Sequence, residues 1–234
     1  MKEYLTTREV AFDSINVAAD ADGREALRQL GFRSVPVLAR GDVGIYAQDL
    51  ADINRLLDLD GDVSPTLSPT ELIERYCRVL DKALGLALAI PAERLDDTLP
   101  GRDRRYLSLV NHLFAIAEGF ATLAEGANAG VTFTDELARA EPDPQRPLAN
   151  FPALCANTTS RLRAWLATNP DAGTSVTTYY GNKSLHNVLE RCTWHSTQHT
   201  RQLMMVLSIL GIEPANPLDD ADLAGLPLPA DVWD

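Results

Sequence analysis

Apolar residues fall into two rhythms along this chain, and the rhythm changes near residue 60. Phe12-Asp13-Ser14-Ile15-Asn16-Val17 alternates apolar and polar positions as a half-buried strand does, and Gly23 to Leu30 places Ala26, Leu27 and Leu30 on one helical face before Gly31 closes it. Ser34 to Ala39 and Gly44 to Ala47 read as strands around a Gly41-Asp42 turn, and Gln48 to Leu57 as a helix, so the expected order is β-α-β-β-α. Residues 61–69 (GDVSPTLSP) have no periodicity and read as a linker between a domain at 1–60 and another at 70–234. Ser68-Pro69-Thr70-Glu71 then offers an N-cap, a proline for the first helical position and an early acid. Leu72, Ile73, Tyr76, Val79, Leu80, Ala83 and Leu84 follow at helical spacing to about Leu88. Three more such stretches run from about Arg102 to Leu123, Leu148 to Leu166 and Lys183 to Leu210, with Pro142-Asp143-Pro144 and Asn169-Pro170-Asp171 punctuating the loops. The expected class is α+β: a small β-α-β-β-α unit, then a four-helix bundle with a proline-rich acidic tail along its surface.

Composition narrows the setting. With 234 residues, 45% of them hydrophobic, the chain can bury one or two ordinary cores, and it reads as having no apolar run long enough to cross a bilayer. Its first residues, MKEYLTTREV, do not resemble a secretory signal, so a cytoplasmic location is expected and no membrane partner. Cys77, Cys155 and Cys192 are odd in number and far apart, which suits a reducing compartment. A formal net charge of −12 with no basic cluster argues against nucleic acid as a partner.

Pro36 interrupts a strand-like run, where its missing N–H would break the ladder. The Val35-Pro36 pair, with the order of elements from Phe12 to Leu57, resembles the C-terminal part of a glutaredoxin. In that family the Val-Pro peptide is cis and the backbone beside it hydrogen-bonds the cysteine part of glutathione. Gln48-Asp49-Leu50 is a looser match to the acidic cap that holds the γ-glutamyl end. The resemblance implies thiol binding by Val35, Pro36, Gln48 and Asp49. The sequence departs from the family in starting near the end of its first helix, without the first strand or the Cys-x-x-Cys, so disulfide exchange is not expected. A docking surface for a thiol tripeptide remains, or a unit used for packing; the lost strand implies rearrangement or a homodimer.

Four histidines occur, and three of them fit inward helix faces. His195 and His199, four apart, stack one turn from each other, while His112 sits among Leu109, Val110, Leu113 and Phe114. Spacing alone leaves a solvated pair, hydrogen-bonded core histidines and a metal site all open. His112, the His-x-x-x-His pair, Arg201-Gln202, Leu210-Gly211-Ile212-Glu213-Pro214 and Leu226-Pro227-Leu228-Pro229 together resemble the DinB-like family over about residues 68 to 234. That family includes thiol-dependent S-transferases and maleylpyruvate isomerase, and its three histidines bind zinc or a related divalent ion. The resemblance implies that His112, His195 and His199 hold a divalent metal, zinc first, with iron or nickel as alternatives; His186 falls outside the pattern.

Three nitrogen ligands leave a tetrahedral ion one open position, which a thiol or water can take. Joined to a thiol-docking unit, this leads to the expectation of a glutathione-using, S-transferase-type enzyme that attacks a small electrophile by conjugation, isomerisation or dehalogenation. Arg201 is a candidate for holding a substrate carboxylate, and Tyr180 or Tyr179 for proton transfer or gating, whereas Trp165 and Trp194 read as core. The alternatives are a metal-dependent hydrolase using activated water and a non-enzymatic, metal-stabilised oligomer.

Overall fold

The computed structural model describes residues 1–17, 19–134 and 145–232, so the Pro142-Asp143-Pro144 loop lies outside the described residues. Two compact units divide the chain, one of Met1–Ser64 together with residues from Pro229 onward and the other of Pro65–Leu228. Among the described residues each carries one two-stranded antiparallel sheet amid helices, an α+β protein.

The first unit runs α1 (Lys2–Thr7), α2 (Ala21–Gln29), β1 (Val37–Arg40), β2 (Val43–Tyr46) and α3 (Leu50–Leu57). Its order is α-α-β-β-α, which corrects the expected opening strand. Phe12 to Asn16 are exposed and form no strand; alternation buries nothing unless another strand lies alongside. Ile15 instead lies over Gly23, where an added Cβ would meet its Cγ2 at 2.4 Å. The helix α1, too short to show a period, supplies Leu5, which packs with Ala47 and Ile53 and is flanked by Tyr4, Leu38, Ile45, Leu50 and Leu57. The strand β1 starts at Val37 rather than Ser34, after a Val35-Pro36 peptide that is cis, as expected. Pro36 has no N–H to give, but its carbonyl accepts from Ala47 N–H at 3.0 Å and so extends the hairpin by one bond. Residues from Pro229 group here through Ala230, whose N–H donates to the Glu3 carboxylate.

The second unit is built on α4 (Pro69–Leu88), α5 (Tyr106–Gly126), α6 (Phe151–Ala167) and α7 (Leu185–Ile209). The expected N-cap is present at the start of α4, and the early acid completes it as a capping box: Ser68 and Glu71 each accept from the other's backbone N–H. The helix α5 starts at Tyr106 rather than Arg102, because the chain first turns back in a short ladder between Thr98 and Arg105. Likewise α7 starts at Leu185, after a hairpin of β3 (Ser175–Thr178) and β4 (Gly181–Ser184) that the periodicity did not reveal. In the ring of contacts, α4 touches α7 and α6, and α5 touches the same two.

Side-chain partners give the helix directions. His186 reaches the Leu67 carbonyl at 2.8 Å and Tyr76 the Ser196 hydroxyl at 3.2 Å, so α4 and α7 run the same way. Phe114 packs on Phe151 at 5.2 Å between ring centres, and further along both helices Arg161 reaches Thr122 and Glu125, so α5 and α6 also run together. Cys77 against the Thr159 carbonyl and Cys155 against Asp81 set α4 and α6 opposed. The connection from α5 to α6 must therefore return along a helix of 21 residues, about 30 Å.

One expectation from composition needs correction. Tyr106–Ala129, with a mean hydropathy of 1.4, does reach the length and apolarity that a membrane span needs, yet 78% of its apolar window is buried by the other helices. A helix walled on nearly every side by others is apolar all round for the same reason a membrane helix is.

The tail closes on α4. Lys82 Nζ donates to Asp222 at 2.5 Å and Asp219 at 2.9 Å, where Asp222 belongs to α8 (Asp220–Leu223) and its side chain is 1% exposed. Replacing Asp222 by alanine leaves a largely buried ammonium with half its acceptors and is expected to cost about 2–3 kcal/mol of stability. Asp219→Ala, at a site 62% exposed, is expected to cost less. Urea unfolding followed by far-ultraviolet circular dichroism checks the order.

Candidate metal centre

His112 lies in the second turn of α5, and His195 and His199 lie midway along α7. The segments before both helices fix their register. The first N–H groups of α5, at Tyr106 and Leu107, donate to the carbonyls of Asp97 and Leu95, and those of α7, at Leu185 and His186, donate to Thr174 and Ala172. Threonines on α7 face the interior without stranding a hydroxyl: Thr193, Thr197 and Thr200 each donate to the carbonyl four residues back at 2.8 Å. Their small side chains leave room for the neighbouring helices, and Tyr76 on Ser196 sets the rotation of α7.

The three imidazoles converge. His112 Nε2 lies 3.1 Å from His195 Nε2, which lies 3.0 Å from His199 Nε2, and the three candidate ligand atoms fall within 4.8 Å of one another. His199 Nδ1 lies 2.8 Å from Gln202 Oε1; an amide oxygen only accepts, so the proton sits on Nδ1 and Nε2 keeps its lone pair. His112 Nδ1 is buried with no hydrogen-bond partner among the described residues. Burial holds the His112 and His195 rings well below the usual histidine pKa, helped by the repulsion a second proton on His199 would meet and by the Arg104 charge on the first and the Arg191 charge on the second. It pushes His199 down to about 3, with Arg104 adding to the effect and the Gln202 bond opposing it. All three rings are thus neutral at pH 7, the form that ligates.

These residues fit a divalent ion. Nitrogens about 2.0–2.1 Å from a tetrahedral centre stand about 3.3 Å apart, close to the two spacings between neighbouring rings. Three nitrogens within reach of one point, one of them on a ring whose other edge is fixed by an amide, make a donor set suited to one ion.

The other candidates divide. Tyr180 is buried, its ring centre 6.0 Å from the Arg191 guanidinium, and Tyr179 Oη accepts from Arg191 Nη2 at 3.3 Å. Both tyrosines are thus joined to the centre through Arg191, one turn before His195. Arg201 is not brought there: two residues past His199 it lies on another face of α7 and bonds Gln198 at 2.9 Å. His186 is held by Leu67, and Trp165 packs on Phe120 in the core, whereas Trp194 is half-buried with its ring 5.8 Å from that of His195. In the first unit Val35 and Pro36 are exposed and Gln48 and Asp49 follow β2, so the four meet at the open end of the hairpin; the Asp49 carboxylate caps α3 through Ala51 N–H. Sequence reasoning passed over Arg191 and Arg104 and gave Gln202 no role of its own. Arg191, His195 and His199 form a comb four residues apart, a signal visible in the sequence; Arg104, just before α5, carried none.

Compared with models of known protein families the chain matches none, and no curated protein shows significant similarity to it.

His195→Ala is expected to lower bound zinc from about one per chain to near zero, because two nitrogens hold the ion poorly. Gln202→Leu should keep the stoichiometry and weaken affinity about 10–100-fold by releasing His199 Nδ1. Competition with a chromophoric chelator measures both.

Proposed function

We propose that this chain is a metal-dependent enzyme that directs a low-molecular-weight thiol, glutathione, at a small electrophile, by conjugation, isomerisation or dehalogenation. The observation that carries the reading is the convergence of three neutral imidazoles. A divalent ion held by His112, His195 and His199, zinc before iron or nickel, would act there as a Lewis acid and lower the pKa of a thiol.

The chain's own residues do the rest. Gln202 orients His199, and burial in the bundle keeps bulk water from the His112 and His199 rings, with His195 half-buried between them. Tyr179, hydrogen-bonded to the buried Arg191, is with Tyr180 a candidate for exchanging a proton, and the Tyr180 ring lies beside the guanidinium. For the thiol, support comes from the first unit, where Val35, Pro36, Gln48 and Asp49 meet at one end of the hairpin in the order that a glutaredoxin uses. The histidine placement on the second and fourth long helices is what the DinB-like resemblance implies. A DinB-like bundle joined to a glutaredoxin-like unit without Cys-x-x-Cys is accordingly the fold reading we propose.

Turnover of an electrophile such as 1-chloro-2,4-dinitrobenzene is expected to need both zinc and glutathione, with the rate rising through an apparent thiol pKa below the free value of about 8.5. Gln48→Ala should raise the KM for glutathione several-fold with zinc content unchanged. Hydrolysis of an activated ester by the zinc-loaded protein with all thiols removed would instead make it a metal-dependent hydrolase.

A further inference from the structure

The three histidines differ in how they meet solvent. His112 and His199 are 7% and 8% exposed, whereas His195 is half-buried, so the centre meets water on the His195 side. Trp194, the residue before it on α7, is half-buried as well. Successive helix positions point about 100° apart and do not face each other. The indole nevertheless lies back towards the His195 ring, with 5.8 Å between ring centres and 63° between planes, a contact made by side-chain torsions rather than by helix spacing. Trp165 behaves differently: it is 7% exposed and packs edge-on against Phe120 in the core. Trp194 instead stands on the stripe of α7 that continues one and two turns on with Gln198 and Arg201, both half-buried.

An indole kept partly in water is apolar surface that a ligand can cover, and its π-system favours a flat partner, offset-stacked or edge-on. A molecule that reaches the histidines from water comes in past the half-buried His195 and the indole beside it. We infer that Trp194 is a specificity-determining residue, which packs on a flat, conjugated electrophile and so holds it at the open side of the three-histidine centre. The indole selects a planar ring over a saturated skeleton of the same size, which has no flat face to offer. The inference rests on the proposed function for the presence of an electrophile, but recognition of a flat ring by Trp194 does not depend on which nucleophile follows.

Calorimetric titration of the full-length, zinc-loaded protein without thiol tests this, using nitrobenzene and nitrocyclohexane, two neutral probes with the same nitro group and the same number of ring carbons. Nitrobenzene should bind about three- to tenfold tighter. Trp194→Leu, which keeps apolar bulk without a ring, should abolish that preference, and Trp194→Phe should keep most of it. The same ratio is read on metal-stripped protein, where the indole should still set it, so that a variant with altered zinc content stays comparable. In turnover of 1-chloro-2,4-dinitrobenzene, Trp194→Leu should raise the KM for the electrophile several-fold and leave that for glutathione unchanged. Equal affinity for the two probes in the wild type, a wild-type preference in Trp194→Leu, or a preference that vanishes when zinc is stripped would each overturn the proposal. A protein that prefers nitrobenzene through Trp194 yet turns over no electrophile with zinc and glutathione would remove the proposed function and leave flat-ring recognition standing; zinc- and thiol-dependent turnover with no such preference would do the reverse.

Discussion

Three imidazole rings brought together between α5 and α7, two of them buried and that of His195 half-buried, set the terms for the helical unit. A buried ring nitrogen must find a partner or lose the hydrogen bond it had in water. Here each Nε2 has another Nε2 as its neighbour, an arrangement in which at most one proton can bridge each pair and a shared cation satisfies all three. That convergence tolerates little error in helix rotation. The tyrosine–serine contact between α4 and α7, the threonine hydroxyls folded back on their own helix and the backbone bonds ahead of both histidine-bearing helices each remove a way for the rings to drift apart.

Much of this was legible where a long period meets a strong cap. Four helical stretches, the Ser68 N-cap and the stacking of His195 on His199 follow from the sequence, because a helix repeats every 3.6 residues and a long one repeats often enough to be recognised. Short elements gave no such signal. The six residues of α1 show fewer than two turns, and the hairpin at 175–184 has only four residues in each strand. Phe12 to Val17 misled for the opposite reason: alternation suits a strand, but a strand exists only where a neighbour completes its ladder.

The arginines show where pattern stops informing. Arg201 was favoured because it follows the histidine pair closely, yet two residues along a helix is more than half a turn, and the side chain leaves on another face. Arg191, four residues before His195, shares its helical face. The helix directions were equally hidden, since a parallel pairing of α5 with α6 depends on a long connection whose course no local periodicity encodes.

All three histidines belong to helices, whereas the residues packed on Arg191, one turn before His195, come from connections: Phe133 from the segment after α5, Tyr179 and Tyr180 from the tip of a hairpin. Helix positions are held by the whole core, while turns and hairpin tips change at small cost to stability. Substitution or insertion in those connections can therefore alter what the centre accepts without disturbing how it is assembled, and two chains with the same three histidines at the same spacing could diverge widely in substrate while keeping one scaffold.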